Sequence, residues 1–176
     1  QQFYNMADTI IVGKFVGKTA LSAVGSVGPL NFLVIGSILG LCTGFAIPIA
    51  QRFGAQDYKS LKKYVANIIY TSVALGIVLT VASVLFTHPL LKLMNTPEDI
   101  YRDAYDYIVI IFAGIGATMF YNLLASIVRS LGDSKTPLYF LLVSSVLNIG
   151  LDLLLIEVFD MGVMGASVAT IISQLV

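Results

Sequence analysis

Residues 19–51 read TALSAVGSVGPLNFLVIGSILGLCTGFAIPIAQ and contain no Asp, Glu, Lys or Arg. A helix needs about 20 mostly apolar residues, each rising about 1.5 Å, to cross a hydrocarbon core of about 30 Å. This stretch passes that test, and others join it. Residues 64–86 and 107–128 are also free of charge, and 137–159 is broken only by Asp152 and Glu157. The pattern predicts four spans, at 21–50, 62–86, 105–130 and 137–159, flanked by partial spans at 1–15 and 162–176. The fold class is all-α, a polytopic transmembrane helical bundle whose first and last helices are truncated.

Composition agrees. The chain is 57% hydrophobic and 11% charged with a mean hydropathy of +0.90, whereas a soluble domain carries about a quarter charged residues. Ten basic and ten acidic residues cancel, and no basic block forms, so a nucleic-acid partner is not expected. Cys42 is the only cysteine; it lies in an apolar run and reads as packing. There is no hydrolase elbow, phosphate-cradling glycine loop or zinc-helix motif, so the chain is not read as an enzyme and no cofactor is expected. It starts without Met and stops inside an apolar stretch, so it reads as part of a longer protein.

Boundaries are marked by turn chemistry. In residues 131–137, LGDSKTP, Gly132 suits a helix C-cap, and Thr136 is expected to cap the next helix with Pro137 at its first position. Arg129 and Asp133 are read as anchoring and capping that turn. A helix start at Thr96 to Asp99 puts Glu98 and Asp99 near the positive helix end and is expected to lie at the surface before Tyr107 enters the membrane. Arg52, Lys59, Lys62, Lys63, Arg129 and Lys135 fall on one side, against Lys14, Lys18, Lys92 and Arg102 on the other. The positive-inside rule makes the first side cytoplasmic. Within the second span Gly36, Gly40 and Gly44 share a face and are expected to pack another helix of the bundle, with Gly165 and Ala169 a weaker pair of the same kind. Pro29 and Pro48 are expected to bend that second span.

The costly groups are polar residues inside spans. Asp152 stands among leucines, where an ionised carboxylate facing lipid costs several kcal/mol, on the order of insertion scales. It should face the protein interior. Asn148 is one helical turn before it, so both side chains share a face. Asp8, with Tyr4 one turn earlier, lies at the outward end of the first partial span. At about 1.5 Å per residue from Pro137, Asn148 is roughly 17 Å and Asp152 roughly 22 Å deep, and Thr170 enters from outside to roughly 12 Å. Asp8, Asn148, Asp152 and Thr170 can therefore meet in one cavity in the outer half, with Asn122 nearer the middle. Such oxygens suit Na⁺, and two close carboxylates can share a proton. The alternative is a buried polar network that only orients helices; from residues alone both stand. For Asp8 by itself, an interfacial carboxylate is the simpler reading. His88 has no second histidine and reads as an interfacial residue rather than a metal ligand, and Asp99, Asp103 and Asp106 as a solvated helix face rather than a calcium site.

Four stretches, residues 5–13 (NMADTIIVG), 50–57 (AQRFGAQD), 128–137 (VRSLGDSKTP) and 147–152 (LNIGLD), together resemble the multidrug and toxic compound extrusion family. The resemblance implies the first six-helix lobe of a two-lobed exporter in the cell membrane, a cation-coupled antiporter moving drugs or other small organic compounds. It implies Na⁺ or H⁺ as coupling ion, held by Asp8, Asn148, Asp152 and Thr170, with Tyr4 and Asn122 lining the cavity. The partners it implies are an amphipathic or cationic organic substrate, membrane lipid and a C-terminal lobe of the same protein. Alternatives are a related lipid-linked oligosaccharide flippase, which would need basic residues for phosphate in mid-span, and a structural or receptor-like membrane protein.

Overall fold

The computed structural model describes residues 2–176, with side chains from Met6 onward. Tyr4 therefore lies outside the described side chains. The chain forms α1 (Gln2–Phe15), α2 (Lys18–Ser26), α3 (Gly28–Gly54), α4 (Tyr58–Leu93), α5 (Glu98–Ala113), α6 (Ile115–Ser130), α7 (Lys135–Leu153) continued by a π turn (Leu154–Val158), and α8 (Gly162–Leu175). No strand occurs among the described residues. Helices α3, α4 and α7 with its π turn are each long and apolar enough to cross a membrane. The pair α5 and α6 forms another apolar run, bent by 47°.

Two features depart from straight spans. The predicted span at 21–50 is divided at Val27 into α2 and α3. Pro29 stands in the first turn of α3 and has no N–H to return to Gly25, whose carbonyl accepts from Val27 instead. Pro48, by contrast, lies inside α3, which is one helix past it. The second departure is the bend at Gly114, between α5 and α6. A Cβ at Gly114 would stand 2.4 Å from Cγ1 of Ile171 in α8, so the joint is a point of close approach where any larger residue forces Ile171 to shift.

The core gathers on α5 and α6. Phe112, Ile108, Ile115, Met119 and Leu123 are fully or almost fully buried, and Ile38, Cys42 and Ile49 of α3 meet them. Helix α5 packs against α2, α4 and α8, while α6 packs against α3, α4 and α8. Cys42 is a packing residue, its thiol donating to the Met119 carbonyl at 3.6 Å. Outward, Tyr70, Val73, Ile77, Val81, Leu85 and Val146 are more than half exposed. A water-soluble monomer rarely carries so large an apolar surface, and hydrocarbon is its natural solvent.

The turns between helices share one design. Helix α6 ends with Gly132 at φ +92°, Gly132 N–H donating to Arg129 O and Asp133 N–H to Val128 O; this is a Schellman ending. Helix α3 ends likewise, with Gln56 at φ +56° donating to Phe53 and Asp57 to Arg52. In both turns the aspartate then caps the next helix. Asp57 accepts from Ser60 N–H, and Asp133 accepts from the N–H groups of Lys135 and Thr136 and from the Thr136 hydroxyl. The capping side chain of α7 is thus Asp133 rather than Thr136, because helix α7 begins at Lys135, two residues earlier than Pro137 suggested.

The glycine stripe does not do what its spacing suggested. A Cβ at Gly36, Gly40 or Gly44 would meet nothing within 4 Å, so this face of α3 packs no described residue of the chain. Small residues every four positions permit close approach but do not supply the neighbour. Gly165 does have one: a Cβ there would come within 3.1 Å of Ile156 and 3.2 Å of Leu155 in the π turn.

Candidate cation site

Three helix faces carry buried polar side chains at one-turn spacing: Ser144, Asn148 and Asp152 on α7, Ser167, Thr170 and Gln174 on α8, and Thr118, Asn122 and Ser126 on α6. Where α1, α5, α7 and α8 converge, each of the four elements contributes an oxygen-bearing side chain. Asp8 and Asp152 are fully buried, as is Asn148, and Thr170 is 7% exposed. The Thr170 hydroxyl donates to Asp8 Oδ2 at 2.8 Å. Asn148 Nδ2 lies 3.4 Å from Asp8 Oδ1 and 3.4 Å from Thr170 Oγ1. Asp152 is an electrostatic neighbour of Asp8.

Three atoms in this cluster are left over. Asn148 Oδ1 and both carboxylate oxygens of Asp152 are buried and accept from no donor group among the described residues, Asp152 meeting only the carboxyl of Asp8, with which it can share a proton. Leaving such groups unpaired costs about 1–3 kcal/mol each, more for a charge, so buried oxygens without donors call for a positive or proton-bearing occupant. Carboxylate, amide and hydroxyl oxygens are hard ligands that fit Na⁺ or a proton better than a soft metal. Among the described residues no group of three or more His, Cys, Asp or Glu could hold a metal ion. A further local feature is the π turn that opens at Leu154, two residues after Asp152. Turns of this kind recur at functional positions in helices.

Asp8, Asn148, Asp152 and Thr170 thus meet, as their depths suggested. Asn122 does not join them. It is buried and donates back to the Thr118 carbonyl at 2.7 Å, and it lines a separate cavity of about 360 Å³ with Leu39, Arg129 and Ser134, toward the turn before α7. Depth along a helix left its direction open, and α6 turns it away. Sequence reasoning missed Tyr107, which is 2% exposed and points its hydroxyl at Asp8 Oδ2 from 3.5 Å. The signal was present: Tyr107 lies on the same buried face of α5 as Ala104, Ile108 and Ile111, and a phenol on an apolar face needs a partner. It also missed Thr118, whose hydroxyl donates to Gln174 Oε1 at 2.5 Å.

The remaining candidates are peripheral. His88 is exposed, hydrogen-bonded to the Tyr101 hydroxyl and set edge-on to the rings of Tyr101 and Tyr105, joining the end of α4 to the start of α5. Asp106 pairs with Arg102 at 3.9 Å on the same outer turn of α5, and Asp99 is exposed.

A bundle of long apolar helices that buries two carboxylates, an amide and a hydroxyl at one convergence defines a polytopic membrane protein with an internal polar site. The MatE family model matches residues 1–154, and the chain belongs to that family. The chain is 35% identical to the probable multidrug resistance protein YoeA of Bacillus subtilis, over 99% of this chain and 39% of that protein. It superposes with a TM-score of 0.93 and 31% identity on a MATE crystal structure in the bent conformation, covering 99% of this chain and 39% of that one. It also superposes with a TM-score of 0.93 and 30% identity on an inward-facing multidrug resistance MATE family transporter of the MOP superfamily, covering 99% and 40%. The chain spans about 39% of the length of the curated relatives it matches.

Proposed function

We propose that the chain is the cation-binding lobe of a cell-membrane exporter, which uses the inward gradient of Na⁺ or H⁺ to expel small amphipathic or cationic organic compounds, and which is completed by a second lobe of the same protein. The observation that carries this reading is the buried pair of carboxyls, Asp8 and Asp152, facing each other beside Asn148 Oδ1, with no donor group to Asp152 or to that amide oxygen among the described residues. Two unit charges about 4 Å apart repel by roughly 4 kcal/mol at an effective dielectric of about 20. A cation or a shared proton between Asp8 and Asp152 relieves such repulsion. A cation or proton binding there favours the arrangement in which α1, α7 and α8 converge, and its departure favours another. Coupling follows if the organic substrate prefers one of the two. A phosphate-handling flippase fits less well, because the bases of the described spans lie at their ends.

The deciding experiment is Asp152→Asn in the whole protein, reconstituted in proteoliposomes with imposed Na⁺ or pH gradients. The variant keeps the size of the side chain but cannot carry its charge. Gradient-driven efflux per folded molecule should fall to background while the folded yield is unchanged. Wild-type flux in a well-folded Asp152→Asn protein would remove this cluster from the mechanism and leave it a structural network.

A further inference from the structure

Helix α8 reaches its neighbours through two polar side chains. Ser167 and Ser173 spend their hydroxyls on carbonyls of α8 itself, those of Val163, Met164 and Thr170. Among the described residues, Thr170 and Gln174 are the polar side chains of α8 that bond to other helices. They stand one turn apart and share a face. Thr170 belongs to the carboxylate cluster. Gln174 accepts from the hydroxyl of Thr118 in α6, and both of these residues are buried.

A hydroxyl inside a helix in lipid usually returns to the carbonyl four residues earlier, as those of Thr43, Thr87 and Ser145 do. That of Thr118 crosses to α8 instead, while the Gly114 carbonyl four residues back accepts the Thr118 N–H. Gly114 is also the bend where Ile171 of α8 comes close. Helix α6 therefore holds α8 at two points, by shape at Ile171 and by a hydrogen bond at Gln174. Thr170 is next to the first and one turn from the second.

The two contacts restrain α8 differently. Packing at Gly114 stops Ile171 from turning toward α6 but not away from it, whereas a hydrogen bond weakens on displacement in either direction. The cluster depends on this rotation. Side chains end about 5 Å from a helix axis, so turning α8 by about 10° carries the Thr170 hydroxyl by about 1 Å. Its bond to Asp8 Oδ2 is 2.8 Å long, and a displacement of that size takes it out of hydrogen-bond range.

We propose that Thr118 is a positioning residue for the cation cluster: through Gln174 it holds α8 at the rotation in which Thr170 donates to Asp8, although Thr118 itself bonds to no member of the cluster. The inference rests on the proposed function, since it names what sets the affinity of that site.

The test uses the purified whole protein, whose melting temperature is followed against Na⁺ concentration in alkaline buffer and against pH without Na⁺. Ligand binding to the folded state raises the melting temperature, and the part of the rise that Asp152→Asn lacks belongs to the cluster. Thr118→Val, which keeps the shape and removes the hydroxyl, should move the midpoint of that rise to about three- to tenfold higher Na⁺ or proton concentration, the worth of one hydrogen bond. Gln174→Met, which removes the acceptor from the other side, should move it by a similar factor and gives a second measure should Thr118→Val fold poorly. Thr118→Ser should restore the wild-type midpoint. Added to Thr170→Val, Thr118→Val should have no further effect, because it acts through the hydroxyl already removed. A lower melting temperature without cation and an unmoved midpoint in both Thr118→Val and Gln174→Met would make the pair a structural bond and overturn this inference alone. Additive midpoint shifts in the double variant would overturn it as well. A wild-type protein that responds to neither cation, or an Asp152→Asn protein that responds like wild type, would overturn the cation-site reading and this inference with it.

Discussion

Thr170 makes the shortest side-chain contact in the carboxylate cluster, a 2.8 Å bond to Asp8 Oδ2, while Tyr107 reaches the same oxygen only at 3.5 Å. Their contributions should rank accordingly. Thr170→Val removes a hydroxyl that both steadies Asp8 and faces the Asn148 amide, and under the proposed function it should weaken the apparent cation affinity about ten- to hundredfold, the range of one hydrogen bond to a charged group. Tyr107→Phe should change it less than about threefold, because a bond at that length is already weak. Half-saturation of flux against Na⁺ concentration, or against pH, measures both. An effect of Tyr107→Phe larger than that of Thr170→Val would contradict this geometry. Residue type alone indicated Asp152 and Asn148, since a carboxylate among leucines must find company. It did not indicate Tyr107, whose role depends on which way α5 turns.

The bend at Gly114 is an element-scale device. It lets one apolar run of chain serve as two helices, with α8 seated in the angle. Gly114→Ala places a methyl group 2.4 Å from Ile171 Cγ1, and overpacking of this kind costs about 1–3 kcal/mol. Thermal stability in detergent should fall, and Ile171→Ala in the same protein should recover much of the loss, a coupling that a double-mutant cycle reads directly. Additive losses would show that the joint is not strained by contact with α8. The turn before α7 has its own test. The Thr136 hydroxyl, followed by the Thr136 and Lys135 amides, holds the Asp133 carboxyl below the ordinary carboxylate range. A lowered folded value means the stabilisation is present above the ordinary carboxylate pKa of about 3.9 and is lost as pH falls through the folded one. Asp133→Ala should therefore lower the melting midpoint at about pH 7, with the gap to wild type closing as the pH falls to about 3 and below. A gap that is independent of pH would mean that the carboxylate is not the cap.

At the scale of the whole molecule, the helices cross the membrane and the distribution of bases sets their direction. Ser60, in the first turn of α4, and Ser134, just before α7, lie at the helix ends that carry Arg52, Lys59, Lys62, Lys63, Arg129 and Lys135, whereas Lys18 and Thr96 lie at the opposite ends. In a Cys42→Ala background, cysteines at Lys18 and Thr96 should react with an impermeant thiol reagent applied to intact cells, and cysteines at Ser60 and Ser134 should not. Reaction at Ser134 from outside would reverse the orientation.

Taken by itself, the sequence determined the all-helical class, the positions of the main apolar runs and the residues too polar to face lipid. These are local properties: hydropathy along the chain is compared with the thickness of the bilayer, and the cost of a charge in hydrocarbon does not depend on neighbours. The break at Val27 was also legible in principle, since it follows from the missing N–H of Pro29. Only the tertiary structure decided that Asp8 meets Thr170, 162 positions away, that Tyr107 faces the cluster while Asn122 turns aside, and that the glycine face of α3 packs nothing described. Lipid tails are as apolar as leucine, so hydropathy does not rank one helix partner or one rotation above another. Partners and rotations are settled by close contacts such as Gly114 against Ile171 and Gly165 against the π turn, which depend on shape across the fold and leave no periodic trace in the chain.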